Sequence, residues 1–238
     1  MSTDLKRAVK EASDRILAHP AKTDEQLAAE EQERRREEFS RRVDECWRAW
    51  ASVVGERYHK CDVDNFEATG ELAKSAKQSV SDYCRAIRAN VKAGAGVLLF
   101  GPKGTGKDHL LSAASRHAIA HGIRVLWQNG ADLFGDVRDA IGRDQGERDV
   151  LARFIHTPVF YLSDPLPPAG KLTEFQAATL FRILDGRYRA KRPTWVSVNA
   201  TGRADLEERL GAQNADRLRD GALAIYCNWA SYRKPAST

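Results

Sequence analysis

The chain has 238 residues, 42% of them hydrophobic and 30% charged, with a formal net charge of +5. That length suits one ordinary domain plus an appendage, and the balance excludes a collagen-like or globally disordered protein. The longest strongly apolar run, Val97-Leu98-Leu99-Phe100, is far short of the roughly 20 residues that cross a bilayer, and Met1–Lys10 is charged with no apolar segment, so neither a membrane span nor a secretory leader is expected. Cys46, Cys61, Cys84 and Cys227 form no C-x-x-C pair, which points away from a zinc site and toward reduced thiols in a cytoplasmic chain.

Residues 1–45 hold ten Lys/Arg against twelve Asp/Glu, so the positive excess lies in the remainder, compatible with a polyanionic partner. Residues 4–58 read as helix, with a break expected at His19-Pro20 because Pro removes a backbone donor and crowds the preceding turn. From Asp24 to Trp50 there is no Gly or Pro, and Phe39, Val43, Cys46, Trp47 and Trp50 recur at three- and four-residue steps. That spacing predicts one apolar stripe on a charged helix, packed on its own domain or docked on a partner protein. A connector, residues 55–70, leads to a second helical stretch, Glu71–Ala93.

The pattern then changes. Val97–Phe100, Arg124–Gln128, Pro158–Leu162, Thr194–Val198 and Leu223–Tyr226 are short apolar runs. Helical patterns separate them at Lys107–His121, Ala131–Ile141, Glu147–Phe154, Glu174–Ala190 and Ala204–Leu210. Strands alternating with helices predict an α/β domain with a parallel sheet. The expected organisation is a helical, partner-docking region over 1–60, a connector and helix over 61–92, and the α/β domain over 93–238.

Gly101-Pro102-Lys103-Gly104-Thr105-Gly106-Lys107 follows the first apolar run and opens a helical pattern. This is G-x-x-x-x-G-K in the strand–loop–helix setting of a P-loop. Its glycines let backbone N–H groups wrap phosphates, the helix N-terminus favours negative charge, and Lys107 reaches the terminal phosphates. The residue after Lys107 is normally Ser or Thr, whose hydroxyl helps hold Mg²⁺; here it is Asp108. A carboxylate also ligates Mg²⁺ but repels phosphates, so ATP binding is expected and efficient hydrolysis is left open.

P-loop enzymes also use an acidic residue at the end of a buried strand. Val159-Phe160-Tyr161-Leu162-Ser163-Asp164 supplies one acid, and Pro165 stands where a second is usual. Either Asp164 organises the metal and the water-activating base is lost, or the register moves by one. In the second case Ser163 takes the metal position and Asp164 the base position, so Asp108 and Ser163 exchange carboxylate and hydroxyl. The candidate metal ligands are therefore Asp108, Ser163 and Asp164. Asn199, ending the strand Thr194–Asn199, is a candidate to sense the γ-phosphate or position water, or else caps a turn. Arg217 is a candidate to reach a neighbouring subunit's nucleotide, or else forms a surface ion pair.

These stretches together resemble the DnaC/IstB family of AAA+ ATPases, the helicase loaders and transposition helpers. Residues 101–107 with His109-Leu110 resemble the family loop G-P-x-G-T-G-K-T-H-L. Leu172-Thr173-Glu174-Phe175-Gln176 through Asp185-Gly186-Arg187-Tyr188 resembles the helix after its acidic strand, and Arg192-Pro193-Thr194 through Asn199 its sensor strand. Leu210-Gly211 through Asp216-Arg217-Leu218 resembles the arginine-finger segment. Arg57-Tyr58 with Asp64-Asn65-Phe66-Glu67 resembles the family's lead-in segment, and Asn228-Trp229 with Ser231-Tyr232-Arg233 its loader tail. The resemblance implies a five-stranded sheet in the order 5-1-4-3-2, Lys107 on phosphate, Asn199 as first sensor, Arg217 as arginine finger and Arg233 as a second sensor. Asp108 and Ser163-Asp164-Pro165 depart from the family pattern, and the cysteine-rich zinc motif of some loaders is missing.

Three readings follow. A helicase loader would use ATP to organise a homo-oligomer on single-stranded DNA and deliver a replicative helicase. A transposition helper would assemble on duplex DNA and deliver a transposase. A nucleotide-locked adaptor would bind ATP without turning it over. Arg138 and Arg143 are candidates for DNA contact, or belong to a solvated face.

Overall fold

A computed structural model describes residues 7–11, 22–141 and 146–233; the expected break at His19-Pro20 and the candidate Arg143 lie outside them. The chain divides into two compact units, 1–42 and 43–238.

Helix α1, Asp24–Val54, begins in the first unit and ends in the second. It opens on a reciprocal cap. Thr23 Oγ1 accepts from the Gln26 N–H at 3.2 Å, and Gln26 Oε1 accepts from the Thr23 N–H at 3.0 Å, so each satisfies a donor the helix start leaves free. Residues 22–42 are all exposed, and pairs such as Arg35–Glu31 support the helix locally. The predicted stripe buries only from Cys46 onward; Trp50 and Val54 are in the core whereas Phe39 is 43% exposed.

Within the second unit the expected single helix over Glu71–Ala93 is two helices, α2 (Glu71–Arg85) and α3 (Ile87–Ala93), broken at Ala86. Asn90 Nδ2 donates to the Tyr83 carbonyl at 2.9 Å, satisfying an acceptor that the break releases. The remaining elements run β1 (Val97–Gly101), α4 (Lys107–Ala120), β2 (Val125–Asn129), α5 (Gly130–Ile141), α6 (Glu147–His156), β3 (Val159–Ser163), α7 (Glu174–Arg189), β4 (Thr194–Asn199), α8 (Arg203–Leu210), α9 (Ala212–Arg219) and β5 (Leu223–Tyr226). Helix α9 went unforeseen because AQNADRLR offers too few apolar residues to show a period.

All strand pairs are parallel, in the order β2-β3-β4-β1-β5, the expected order read from the other edge. Both faces are covered. Leu99, Tyr161 and Trp195 share one core with Trp50, Phe66, Ile87 and Leu110. Their strand neighbours Leu98, Phe160 and Val196 point into a second core with Leu133, Phe154 and Ile183, as a period of two requires. Residues 43–92, expected as appendage and connector, therefore belong to the compact unit that holds the sheet. Burial of Trp50, Phe66 and Ile87 in the first core is the physical reason.

Arg187, fully buried, ties α6 and β4 together on one guanidinium. Nη1 donates to the carbonyls of Phe154 at 2.6 Å and Thr157 at 2.9 Å, and Nε donates to Thr194 Oγ1 at 3.0 Å. No helix among the described residues is long and apolar enough to cross a membrane.

Candidate nucleotide-binding site

Register aligns the C-terminal ends of the central strands. Gly101 of β1 lies beside Asn199 of β4, and Ser163 of β3 beside Ser197 of β4. A ligand crevice in a parallel sheet forms at this edge. Here a cleft of about 480 Å³ opens over the 101–107 loop.

The loop wraps toward the N-terminus of α4, where free amide groups gather. Lys107 is buried, its Nζ donating to the carbonyls of Gly101 at 3.0 Å and Pro102 at 2.7 Å. Burial pulls this ammonium below the ordinary lysine range, while Asp108 and Asp164 push it back up. Pro102 and Lys103 are exposed on the outside of the loop, and Thr105 Oγ1 donates to the Pro102 carbonyl at 3.1 Å. Gly106 has φ +82°, and a Cβ there would stand 2.6 Å from the Phe66 ring; only glycine takes this left-handed, close-packed position without strain.

Asp108, in the first turn of α4, does not project freely among the phosphate-binding amides. Its Oδ1 accepts from Ser163 Oγ at 2.9 Å, Tyr161 Oη at 2.8 Å and Ser197 Oγ at 2.5 Å. Alternation along the strands explains the convergence. Tyr161 and Ser163 point to the α4 side while Phe160 and Leu162 point away, and Ser197 is in register with Ser163. The sequence reading passed over Tyr161 and Ser197. Their signal was present: a phenol and a hydroxyl at inward positions of otherwise apolar strands, where a polar tip requires a partner.

Asp164 lies one residue beyond β3 with φ +46°, a conformation that a following proline further disfavours. Its N–H donates to the Ser197 carbonyl at 2.9 Å, and its Oδ2 accepts from Asn199 Nδ2 at 2.5 Å. Burial raises the Asp164 carboxyl above the usual range, with Asp108 adding to the shift, while the hydrogen bonds from Asn199 and the nearby Lys107 oppose it. Asn199 is thus tied to the acidic strand rather than free at a turn.

The lead-in segment and the tail close the loop from two sides. His109 Nε2 is 2.9 Å from both the Asp62 carbonyl and Asn65 Oδ1. Phe66 packs edge-on against His109, Trp229 and Tyr232. Trp229 Nε1 donates to the Thr105 carbonyl at 2.9 Å, and the Tyr232 N–H to the Gly104 carbonyl at 2.9 Å. Arg233 lines the cleft. Arg217 does not line it. Its guanidinium lies 4.4 Å over the Tyr188 ring and 3.4 Å from Asp185. Arg138 lies over the Phe175 ring, 5.6 Å from its centroid.

The residues fit a nucleotide polyphosphate and Mg²⁺. Gly104, Gly106, the buried ammonium of Lys107 and Arg233 line the cleft, and Asp108, Ser163 and Asp164 bring hard oxygen atoms to it. Among the described residues no three His, Cys, Asp or Glu side chains form a metal cage of their own.

A family profile for IstB-like ATP-binding proteins matches residues 2–233. The replicative helicase loader DnaC of Buchnera aphidicola subsp. Baizongia pistaciae is 28% identical over 185 residues, covering 77% of this chain and 73% of that protein. An insertion-sequence ATP-binding protein of Sinorhizobium fredii is 30% identical over 147 residues, 59% of this chain and 47% of that protein. A crystal structure of the DnaC helicase loader shares the fold, with a TM-score of 0.64 at 21% identity over 72% of this chain and 99% of that one. With a P-loop at the edge of an AAA+ sheet and a family match over nearly its whole length, the chain belongs to the IstB-like ATP-binding proteins, within the DnaC/IstB family.

Proposed function

We propose that this chain binds ATP with Mg²⁺ and acts in DNA replication as a DnaC-like loader, gripping single-stranded DNA and delivering a replicative helicase. The observation that carries this reading is the packing of Phe66 between His109, Trp229 and Tyr232. It joins the P-loop to the lead-in segment and tail, the two stretches whose sequences are most specific to the family. The exposed first half of α1, with Leu27 and Phe39 on its surface, is the segment that would dock on the helicase, so the partner-docking role expected of 1–60 would fall to its part before residue 43, and nucleotide handling to 93–238 together with the lead-in residues that line the cleft.

At the site, the exchanged register is the better supported. Ser163 faces Asp108 directly, and Asp164 stands beyond the strand, held by Asn199. Asp108 and Ser163 would hold Mg²⁺, which when bound neutralises charge on the phosphates. Asp164 would accept a proton from the attacking water, with Asn199 fixing its orientation. Arg217 would act in trans, leaving Asp185 to approach the nucleotide of a neighbouring subunit in a homo-oligomer.

The test is loading of a replicative helicase onto circular single-stranded DNA by the full chain with ATP. Helicase retained on DNA only when the chain and ATP are both present supports the reading; no association with the helicase refutes it. The similarity to an insertion-sequence protein favours a second reading, a transposition helper, and capture of a transposase on duplex DNA would establish that instead. Helicase or transposase capture without measurable ATP turnover would identify a nucleotide-locked adaptor.

A further inference from the structure

We propose that the cleft takes nucleotide only as its divalent-metal complex, because Asp108 makes the cation an obligatory co-ligand; this rests on the reading of the cleft as a nucleotide site. Three observations carry it. First, the Lys, Arg, Asp and Glu of the lining balance, Arg57, Lys107 and Arg233 against Glu67, Asp108 and Asp164, with His109 the further ionisable group beside them. A P-loop that holds a free polyphosphate needs an excess of positive charge, and this one has none. Second, Lys107 directs its three ammonium protons at oxygens of its own loop, the carbonyls of Gly101 and Pro102 and, at 3.5 Å, Thr105 Oγ1, so its charge is partly engaged before any phosphate arrives. Third, the Asp108 carboxylate cannot swing away from an incoming phosphate, because Tyr161, Ser163 and Ser197 all hold its Oδ1.

Among the described residues, no side chain or backbone group pairs with the second oxygen of Asp108, Oδ2. A fixed anion beside the phosphate-binding amides repels a phosphate. A divalent cation between them reverses the sign of that interaction, as bound cations do when they are the largest local charge. A serine or threonine at position 108 would impose no such condition, since a hydroxyl is neutral and tolerates phosphate with or without metal.

The experiment is equilibrium binding of radiolabelled ATP to the full chain in Mg²⁺ and in EDTA, for the parent and for Asp108→Asn. The asparagine keeps the shape and the Oδ1 acceptor for the three hydroxyls but removes the charge. The expected result is binding in Mg²⁺ that weakens by at least about 100-fold in EDTA for the parent. Asp108→Asn should bind ATP in EDTA more tightly than the parent does, a gain that misfolding cannot produce. Parent binding of equal strength in both buffers overturns the proposal. Undiminished metal dependence in Asp108→Asn overturns the role given to this carboxylate while leaving nucleotide binding intact. Absence of parent binding in either buffer removes the nucleotide reading itself, and the proposal with it.

Discussion

Asp108 Oδ1 and Ser163 Oγ are 2.9 Å apart, a carboxylate on the phosphate loop facing a hydroxyl on the acidic strand. In the usual P-loop arrangement the hydroxyl is on the loop and the carboxylate on the strand. Under the proposed function the pair would keep one hydroxyl and one carboxylate for the metal while inverting which element supplies each.

The inversion predicts a non-additive mutational cycle. Asp108→Thr alone leaves two hydroxyls and no carboxylate at the metal position, and Ser163→Asp alone sets two carboxylates against each other. Each should lower steady-state ATP turnover by about tenfold or more, whereas the double variant recovers most of the loss, a coupling of at least about 1 kcal/mol. A rise in turnover with Asp108→Thr alone contradicts the exchange.

Asp164 predicts a trade of stability against turnover. Its carboxyl is raised above the usual range chiefly by burial, so the folded chain holds that proton more tightly than the unfolded chain does. The contribution is favourable below the unfolded value of about 3.9 and is lost as pH rises through the folded one. In the metal-free protein at neutral pH, Asp164→Asn should therefore raise Tm by roughly 1–3 °C, with the gap narrowing toward pH 4. Turnover of the variant should fall by about 10²-fold or more. A lower Tm at neutral pH contradicts this electrostatic account.

Arg217 predicts complementation between subunits. Because it rests on Tyr188 and Asp185 and does not line the cleft of its own chain, Arg217→Ala should leave ATP affinity within about twofold. It should cut the turnover of the assembled protein by about 10³-fold. Mixing Arg217→Ala subunits with Lys107→Ala subunits should restore part of the activity, since each supplies what the other lacks. Inactivity of every mixture contradicts a role in trans.

Cys227 predicts chemical silence. It is fully buried, with its carbonyl 2.3 Å from where a Cβ on Gly101 would stand. Burial pushes its thiol up to about 12, as it does that of Cys84. Thiol reagents act on the thiolate, so neither cysteine should react at pH 8 in the folded chain, and all four should react once it is unfolded. Rapid labelling of Cys227 in the native protein would show that the tail is not seated on the loop.

The sequence made the sheet legible because its strands are buried on both faces and read as short apolar runs between helical periods. The loop was legible because glycine spacing followed by lysine has a mechanical meaning. The network around Asp108 was not, since it depends on Ser163 and Ser197 being in register across two strands far apart in the chain. The helix break at Ala86 and the burial of Trp50 and Phe66 with the sheet were likewise tertiary in origin. Arg217 was a candidate from its segment alone, and its place against Tyr188 and Asp185 emerged only from the packing of α9 on α7.

The central claim is that residues 101–107 cradle the phosphates of ATP with Lys107 at their end. Equilibrium binding of labelled ATP with Mg²⁺ to the parent and to Lys107→Ala tests it most directly. The account predicts saturable binding by the parent and a loss of at least about 100-fold in the variant, since a charge-assisted contact to phosphate is removed. No binding by the parent, or equal binding by both, would contradict it.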